Sequence, residues 1–104
     1  MLHDAEPAVM DGFGALHTAA VAEGVLSTKT KELIALALGV HARCDGCIAF
    51  HVSAALRAGA SRAEITEALG VAILMGGGPA SVYAGEALAA TEEMLAARGE
   101  PPAA

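Results

Sequence analysis

Two cysteines and a histidine stand close together in the stretch RCDGCIAFH, from Arg43 to His51. Cys44 and Cys47 are the only cysteines of the chain. Residues i and i+3 of a helix share a face with Cα atoms about 5 Å apart, within the range that a disulfide bridges. If Cys44 opens a helix, the pair can cycle, and Cys47 lies in the first turn, where the helix dipole favours a thiolate. His51, one turn further on, can then accept or return a proton.

Glu32 is the candidate partner of His51. It lies among apolar residues, where an unpaired carboxylate is costly. In one straight helix about 28 Å would separate Glu32 from His51, since each residue rises 1.5 Å. A reversal of the chain near 41–43 would instead bring the two side chains level across an antiparallel helix pair. The predicted relay has Glu32 orienting His51, and His51 activating Cys47.

Two other interpretations of these residues remain open. His41, Cys44, Cys47 and His51 offer four zinc-type ligands at short spacing, although a tetrahedral site requires His41 to fold over from the turn. The cysteines could instead be two small buried thiols without chemistry.

Composition and charge bound the function classes. The chain has 104 residues, enough for one domain, but 26 of them are alanine and 3% are aromatic, so the core is predicted to be thin. A net charge of −6 argues against nucleic acid and anionic membranes as partners. Neither a secretion signal nor an apolar run near the ~20 residues of a membrane span is evident. We expect a cytoplasmic protein, where an exposed cysteine pair is normally reduced.

The elements that must position these residues are predicted to be five helices, with almost no strand signal. The first runs from about Pro7 to Glu23. The second opens after Ser27 or Thr28 as the N-cap and is predicted to be mostly buried. The third begins with Cys44 and ends near Gly59.

The last two helices are separated by a glycine-rich break. The fourth starts with the capping box Ser61-Arg62-Ala63-Glu64, and the fifth runs from about Ala80 to Arg98. The segment Gly76-Gly77-Gly78-Pro79 between them has no preceding strand and no following lysine, so it is predicted to be an interhelical turn rather than a phosphate-binding loop. His3 and His17 are predicted to lie at the surface or at the edge of the core.

The spacing of Glu32, Cys44, Cys47 and His51 resembles the core of the alkyl hydroperoxidase D and carboxymuconolactone decarboxylase superfamily. The resemblance runs through KELIALALGVHARCDGCIAFHVSAALRAGAS and EITEALGVAILMGGGPASVYAGEAL and covers roughly Met10 to Leu95. It implies an all-α helical bundle with the Cys-x-x-Cys motif at a helix N-terminus. By the same resemblance, residues 1–9 form an N-terminal segment and 10–98 the domain, while 99–104 are expected to be a disordered tail.

The resemblance also implies an activity. Cys47 matches the cysteine that becomes a sulfenic acid, Cys44 its resolving partner, and Glu32 and His51 the proton relay. The implied function is a thiol-dependent peroxidase or disulfide oxidoreductase, acting on a peroxide or disulfide with an external dithiol reductant, without metal or other cofactor. The implied assembly is a homotrimer or homohexamer.

Two features depart from that pattern. Alkyl hydroperoxidase D has a histidine directly before the second cysteine, where this chain has Gly46. The chain also corresponds to a single core unit. The alternatives are a decarboxylase-like lyase of the same superfamily, whose members generally lack the cysteine pair, and a zinc-bound or non-catalytic oligomerising module.

Overall fold

The computed structural model describes residues 1–99, which are all-helical as predicted. The helices are α1 (Leu2–Ala5), α2 (Pro7–Ala20), α3 (Thr28–His41), α4 (Asp45–Arg57) and α5 (Arg62–Ala97). Five helices were predicted, but their division differs, because the short α1 precedes Pro7 and the predicted fourth and fifth helices form the single element α5. The predicted disordered tail is 99–104, and its part after Gly99 lies outside the described residues.

Helix α5 is folded back on itself at Gly77, so the predicted break at the glycine-rich segment is real. Gly77 has φ 67° and ψ −145°, a conformation that is essentially restricted to glycine. Arg62 donates a hydrogen bond of 2.7 Å to the Glu92 carboxylate, which in a straight helix would lie about 45 Å away. The two arms, 62–76 and 78–97, are therefore antiparallel neighbours.

The core lies between α3, α4 and the two arms of α5. Leu36 and Val40 of α3, Val52 of α4 and Ile65 of α5 are fully buried. The rest of the cluster is largely alanine, which explains how helices pack closely around so few large side chains.

The prediction that α3 is mostly buried is wrong for one side of the helix. Ile34 and Leu38 are 46% and 63% exposed, whereas Leu36 and Val40 of the same helix are fully buried. Both side chains lie on an apolar groove with Val71 and Met75 of α5.

The predicted capping box holds the start of α5 in place. The Ser61 hydroxyl accepts a hydrogen bond from the Glu64 backbone, and the Glu64 carboxylate accepts one from the Ser61 backbone. Lys29, in the first turn of α3, pairs with Glu64 at 2.8 Å. The Lys29 hydrogen bond, followed by that of the Ser61 backbone, lowers the pKa of Glu64. The stability that the ionised Glu64 contributes is therefore fully present above the ordinary pKa of a glutamate. It is lost as the pH falls through the lowered pKa of Glu64.

Helix α5 has the length and composition of a candidate membrane span. The residues between Glu67 and Glu86 carry no charge, a run that the sequence prediction overlooked. The reversal at Gly77 nevertheless divides it, and the first arm would extend only about 22 Å against a hydrocarbon core about 30 Å thick. The second arm carries Glu86, Glu92 and Glu93. Both arms contribute buried residues to the helical core, such as Ile65 of the first and Ala87 of the second.

The hairpin should depend on Gly77. We expect Gly77→Ala to lower the free energy of unfolding by about 1–3 kcal/mol, because a Cβ is strained at this φ and ψ. Gly85→Ala is the matched control, since a Cβ there meets open space within a helix and should be neutral or stabilising by about 1 kcal/mol. Urea denaturation followed by circular dichroism measures both. Equal stability of Gly77→Ala and the wild type would contradict the proposed hairpin.

Candidate active site

The chain reverses sharply between α3 and α4, as the predicted relay requires. Helix α3 ends at His41, and Arg43 adopts a left-handed conformation with φ 56°. The backbone N–H groups of Arg43 and Cys44 donate to the carbonyls of Val40 and Gly39, both at 3.1 Å. These bonds close the end of α3 and let the next helix start at once.

Cys44 caps the N-terminus of α4 and forms a disulfide with Cys47. The two Cα atoms are 5.2 Å apart, and the Cys44 Sγ accepts a hydrogen bond of 3.2 Å from the Cys47 backbone. Cys47 is exposed, whereas Cys44 is half-buried. The pair therefore bridges as predicted, and Cys47, in the first turn of α4, is the more exposed residue of the two.

Gly39 lets α3 approach this turn closely. A Cβ at this position would lie 3.2 Å from the Cys47 Cβ, tighter than ordinary van der Waals contact. The residue is buried and was not predicted as part of the site. A single glycine within a helical pattern is the only sequence signal that could have indicated it.

The Glu32 carboxylate is shared by two imidazoles. Glu32 is only 2% exposed. Its Oε1 lies 2.7 Å from His51 Nδ1, and its Oε2 lies 2.8 Å from His17 Nε2. A carboxylate oxygen can only accept, so the facing nitrogen of each ring donates a proton to the hydrogen bond. The structure thus brings Glu32 and His51 into direct contact across α3 and α4.

His17 is the residue of the site that sequence reasoning missed. It lies at the edge of the core as predicted, with 28% of its side chain exposed, but its pairing with Glu32 was not predicted. The available signal was the spacing of Met10, Phe13, Gly14 and His17, which follows one face of a helix. Nothing in the sequence states which helix that face meets.

A cleft of about 440 Å³ opens beside the disulfide. Helix α4 lines one side with Gly46, Cys47, Phe50 and His51. Helix α2 lines the other with the face that carries His17. The cleft therefore brings Cys47 and two imidazoles together between largely apolar walls that could admit a small ligand.

Phe50 holds both imidazoles in place. Its ring meets His17 edge-on at a centroid distance of 5.1 Å and His51 edge-on at 5.0 Å. Edge-to-face contacts of this kind are favourable and restrict the orientation of the rings. The two imidazoles are themselves 5.8 Å apart.

The four-ligand zinc set of the sequence analysis is not assembled. Cys44 and Cys47 are bonded to each other, and His41 lies in the apolar groove with Leu38 and Met75. His41 also packs near Gly76, at the reversal of α5. His3 pairs with Asp11 at the surface.

Comparisons with known proteins identify a family that covers most of the chain. Residues 7–93 match the model of the carboxymuconolactone decarboxylase family. An uncharacterized protein of Cupriavidus necator is 48% identical over 88 residues, which are 85% of this chain and 78% of that protein. An uncharacterized protein from the cox locus of Paracoccus denitrificans is 42% identical, covering 81% of this chain and 76% of that protein.

Two solved structures share the fold. A carboxymuconolactone decarboxylase family protein from Legionella pneumophila superposes with a TM-score of 0.83 at 49% identity, over 88% of this chain and 81% of that one. A family member from Thermotoga maritima, described as possibly involved in the antioxidative response, superposes with a TM-score of 0.80 at 34% identity. The match covers 86% of this chain and 93% of that one. The chain therefore belongs to the carboxymuconolactone decarboxylase family, of the alkyl hydroperoxidase D-like superfamily, and carries a Cys-x-x-Cys disulfide at a helix N-terminus.

Proposed function

We propose that the protein is a thiol-dependent peroxidase or disulfide oxidoreductase that cycles Cys44 and Cys47 between dithiol and disulfide. The observation that carries this proposal is the disulfide at the start of α4, on a cleft shared with an imidazole that a buried carboxylate orients. A low-pKa thiol at a helix N-terminus, a resolving thiol and a base are the parts that such chemistry needs.

In the proposed cycle, His51 accepts the Cys47 proton at Nε2, because Nδ1 is held by Glu32. The Cys47 thiolate attacks one oxygen of a hydroperoxide, and an S–O bond forms as the O–O bond breaks. The alkoxide that leaves takes the proton from His51 and departs as an alcohol. The Cys44 thiol then attacks the Cys47 sulfenic acid, which forms the disulfide and releases water. Two exchange steps with an external dithiol restore the reduced pair.

The exposures of the two cysteines support these separate roles. Cys47 is the exposed residue, lines the cleft and meets the oxidant, whereas Cys44 is half-buried and acts second. The family histidine that precedes the second cysteine is replaced by Gly46, which leaves this side of the cleft open. Proton handling in this chain therefore falls to the imidazoles bound to Glu32.

The antioxidative description of the Thermotoga relative is in line with this proposal. The family name favours a second candidate, a decarboxylase-like lyase that would use the same cleft without the cysteines. Lactone turnover that persists in the Cys44→Ser/Cys47→Ser double variant would identify the lyase.

We also propose that the protein acts in the cytoplasm as a homotrimer or homohexamer. The apolar groove formed by Ile34, Leu38, Val71 and Met75 is the surface that a second copy would cover. Exposed apolar patches of this kind mark interaction sites. Self-association would add buried area to a core that is poor in large side chains.

Thiol titration tests the cycle. We expect reduced protein to lose both thiols per protomer after one equivalent of peroxide, because Cys44 resolves the oxidised Cys47. Cys47→Ser should retain its remaining thiol, and Cys44→Ser should accumulate a sulfenic acid that dimedone traps. Peroxide consumption with a panel of dithiols then identifies the reductant. Retention of both thiols in the wild type would refute the proposal.

The relay is tested by Glu32→Gln. Glutamine keeps the shape but offers one acceptor oxygen and a donor NH2, so one imidazole loses its acceptor. We expect the second-order rate of Cys47 oxidation to fall at least about tenfold. Stopped-flow mixing with peroxide measures the rate, and Glu67→Gln, at an exposed position of α5, is the control that should match the wild type. An unchanged rate in Glu32→Gln would remove Glu32 from the relay.

Self-association is tested by light scattering after size-exclusion chromatography. We expect a mass of three or six times the 10.3 kDa protomer. Leu38→Glu places a charge in the apolar groove and should shift the mass toward the protomer, because an unpaired charge is costly to bury. Val25→Glu, in a fully exposed loop, is the matched control and should leave the assembly intact. A monomeric wild-type protein would contradict the proposed assembly.

A further inference from the structure

We propose that His17, Glu32 and His51 bind a divalent transition-metal ion such as Zn²⁺, and that the bound ion switches off the thiol chemistry of the neighbouring cysteine pair. This three-residue site is distinct from the zinc set of His41, Cys44, Cys47 and His51 considered above. The inhibition of thiol chemistry rests on the proposed function.

The donor atoms are already close enough to share one ion. One nitrogen from each ring and one carboxylate oxygen all lie within 4.8 Å of one another. Bonds of 2.0–2.2 Å around one ion place its ligand atoms roughly 3–3.5 Å apart, so side-chain shifts of under an ångström complete the site. The three residues come from α2, α3 and α4, and two of these helices belong to the packed core.

The chemistry of the donors selects the class of ion. Two imidazoles and one carboxylate suit zinc, iron, cobalt and nickel, whereas calcium and magnesium prefer all-oxygen sets. Three protein ligands leave further coordination positions, and these would face the cleft that His17 and His51 line. The Phe50 ring, in edge-on contact with both imidazoles, fixes their orientation as an outer-shell group does.

The burial of Glu32 gives the ion a reason to bind. The carboxylate is 2% exposed, and its partners at hydrogen-bond distance are two imidazoles rather than a lysine or arginine. A buried carboxylate without a cationic partner is costly, and a dication placed between the three side chains compensates its charge.

Binding moves two protons. An imidazole nitrogen that binds a metal must be unprotonated, so each ring transfers its proton from the nitrogen facing Glu32 to its other nitrogen. In His51 the proton then lies on Nε2. That nitrogen can no longer accept the proton of Cys47, so the metal-bound site and the active relay exclude each other.

The binding site is tested with Co²⁺ on fully oxidised protein, in which the disulfide removes the thiols as ligands. We expect one Co²⁺ per protomer by calorimetry, with d–d absorption bands in the visible spectrum. His17→Gln and Glu32→Gln should each weaken the affinity at least about tenfold. His41→Gln is the matched control and should bind as the wild type does. His17→Gln is the decisive variant, because α2 has no buried residue and circular dichroism should show an unchanged fold.

Two results would overturn the site: less than stoichiometric Co²⁺ on the oxidised wild type, or wild-type affinity in His17→Gln.

The switch is tested separately on reduced protein, by the ratio of Cys47 oxidation rates with and without Zn²⁺. We expect Zn²⁺ to slow the wild type at least about tenfold and His17→Gln much less. Equal inhibition of both would mean that the thiols bind Zn²⁺ directly and would refute the switch. If the metal-free wild type does not reduce peroxide, the proposed function is refuted, but the Co²⁺ binding result is unaffected.

Discussion

The site depends on the need of one buried carboxylate for hydrogen-bond partners. Glu32 lies at the start of the second turn of α3 and is nearly inaccessible to water. Its two oxygens are satisfied by imidazoles from two other helices, at 2.7 and 2.8 Å. Leaving either oxygen unpaired would be costly, so the pairing holds the imidazoles of His17 and His51 against Glu32. The resulting arrangement places His51 and His17 at one cleft with Cys47.

Two backbone features make this pairing possible. The first is the reversal after α3, where Arg43 takes a left-handed conformation and Cys44 caps the next helix. The second is Gly39, which lets α4 approach so closely that Cys47 lies directly over α3. Together they place the disulfide and the carboxylate on two antiparallel helices, within reach of one imidazole. The N-terminal turn of α4 then supplies the electrostatic environment that favours a thiolate.

Helix α2 has an unusual position in this fold. It has no buried residue, yet it contributes one wall of the cleft and one partner of Glu32. Polar contacts hold its C-terminal end to the body, since Thr28 donates to the Val21 carbonyl and Lys31 to the Ala22 carbonyl. The apolar side chains Phe13 and Leu16 of the same helix remain exposed. Helix α2 is therefore held to the body by these two hydrogen bonds and by the contact of His17 with Glu32.

The sequence by itself determined the helical class, the capping box at Ser61 and the break at the glycine-rich segment. Each of these follows from local chemistry, namely residue propensity, cap hydrogen bonds and the conformational freedom of glycine. It also indicated that Glu32 and His51 would come level if the chain reversed near 41–43, because helix rise fixes their relative height. Only the tertiary structure decided that His17 shares Glu32, that Gly39 admits the cysteine turn, and that α5 folds into a hairpin with Ile34 and Leu38 left outside. These features depend on which helix faces pack against each other. In a chain so rich in alanine many faces look alike, so the pairing of faces depends on long-range packing that local patterns do not encode.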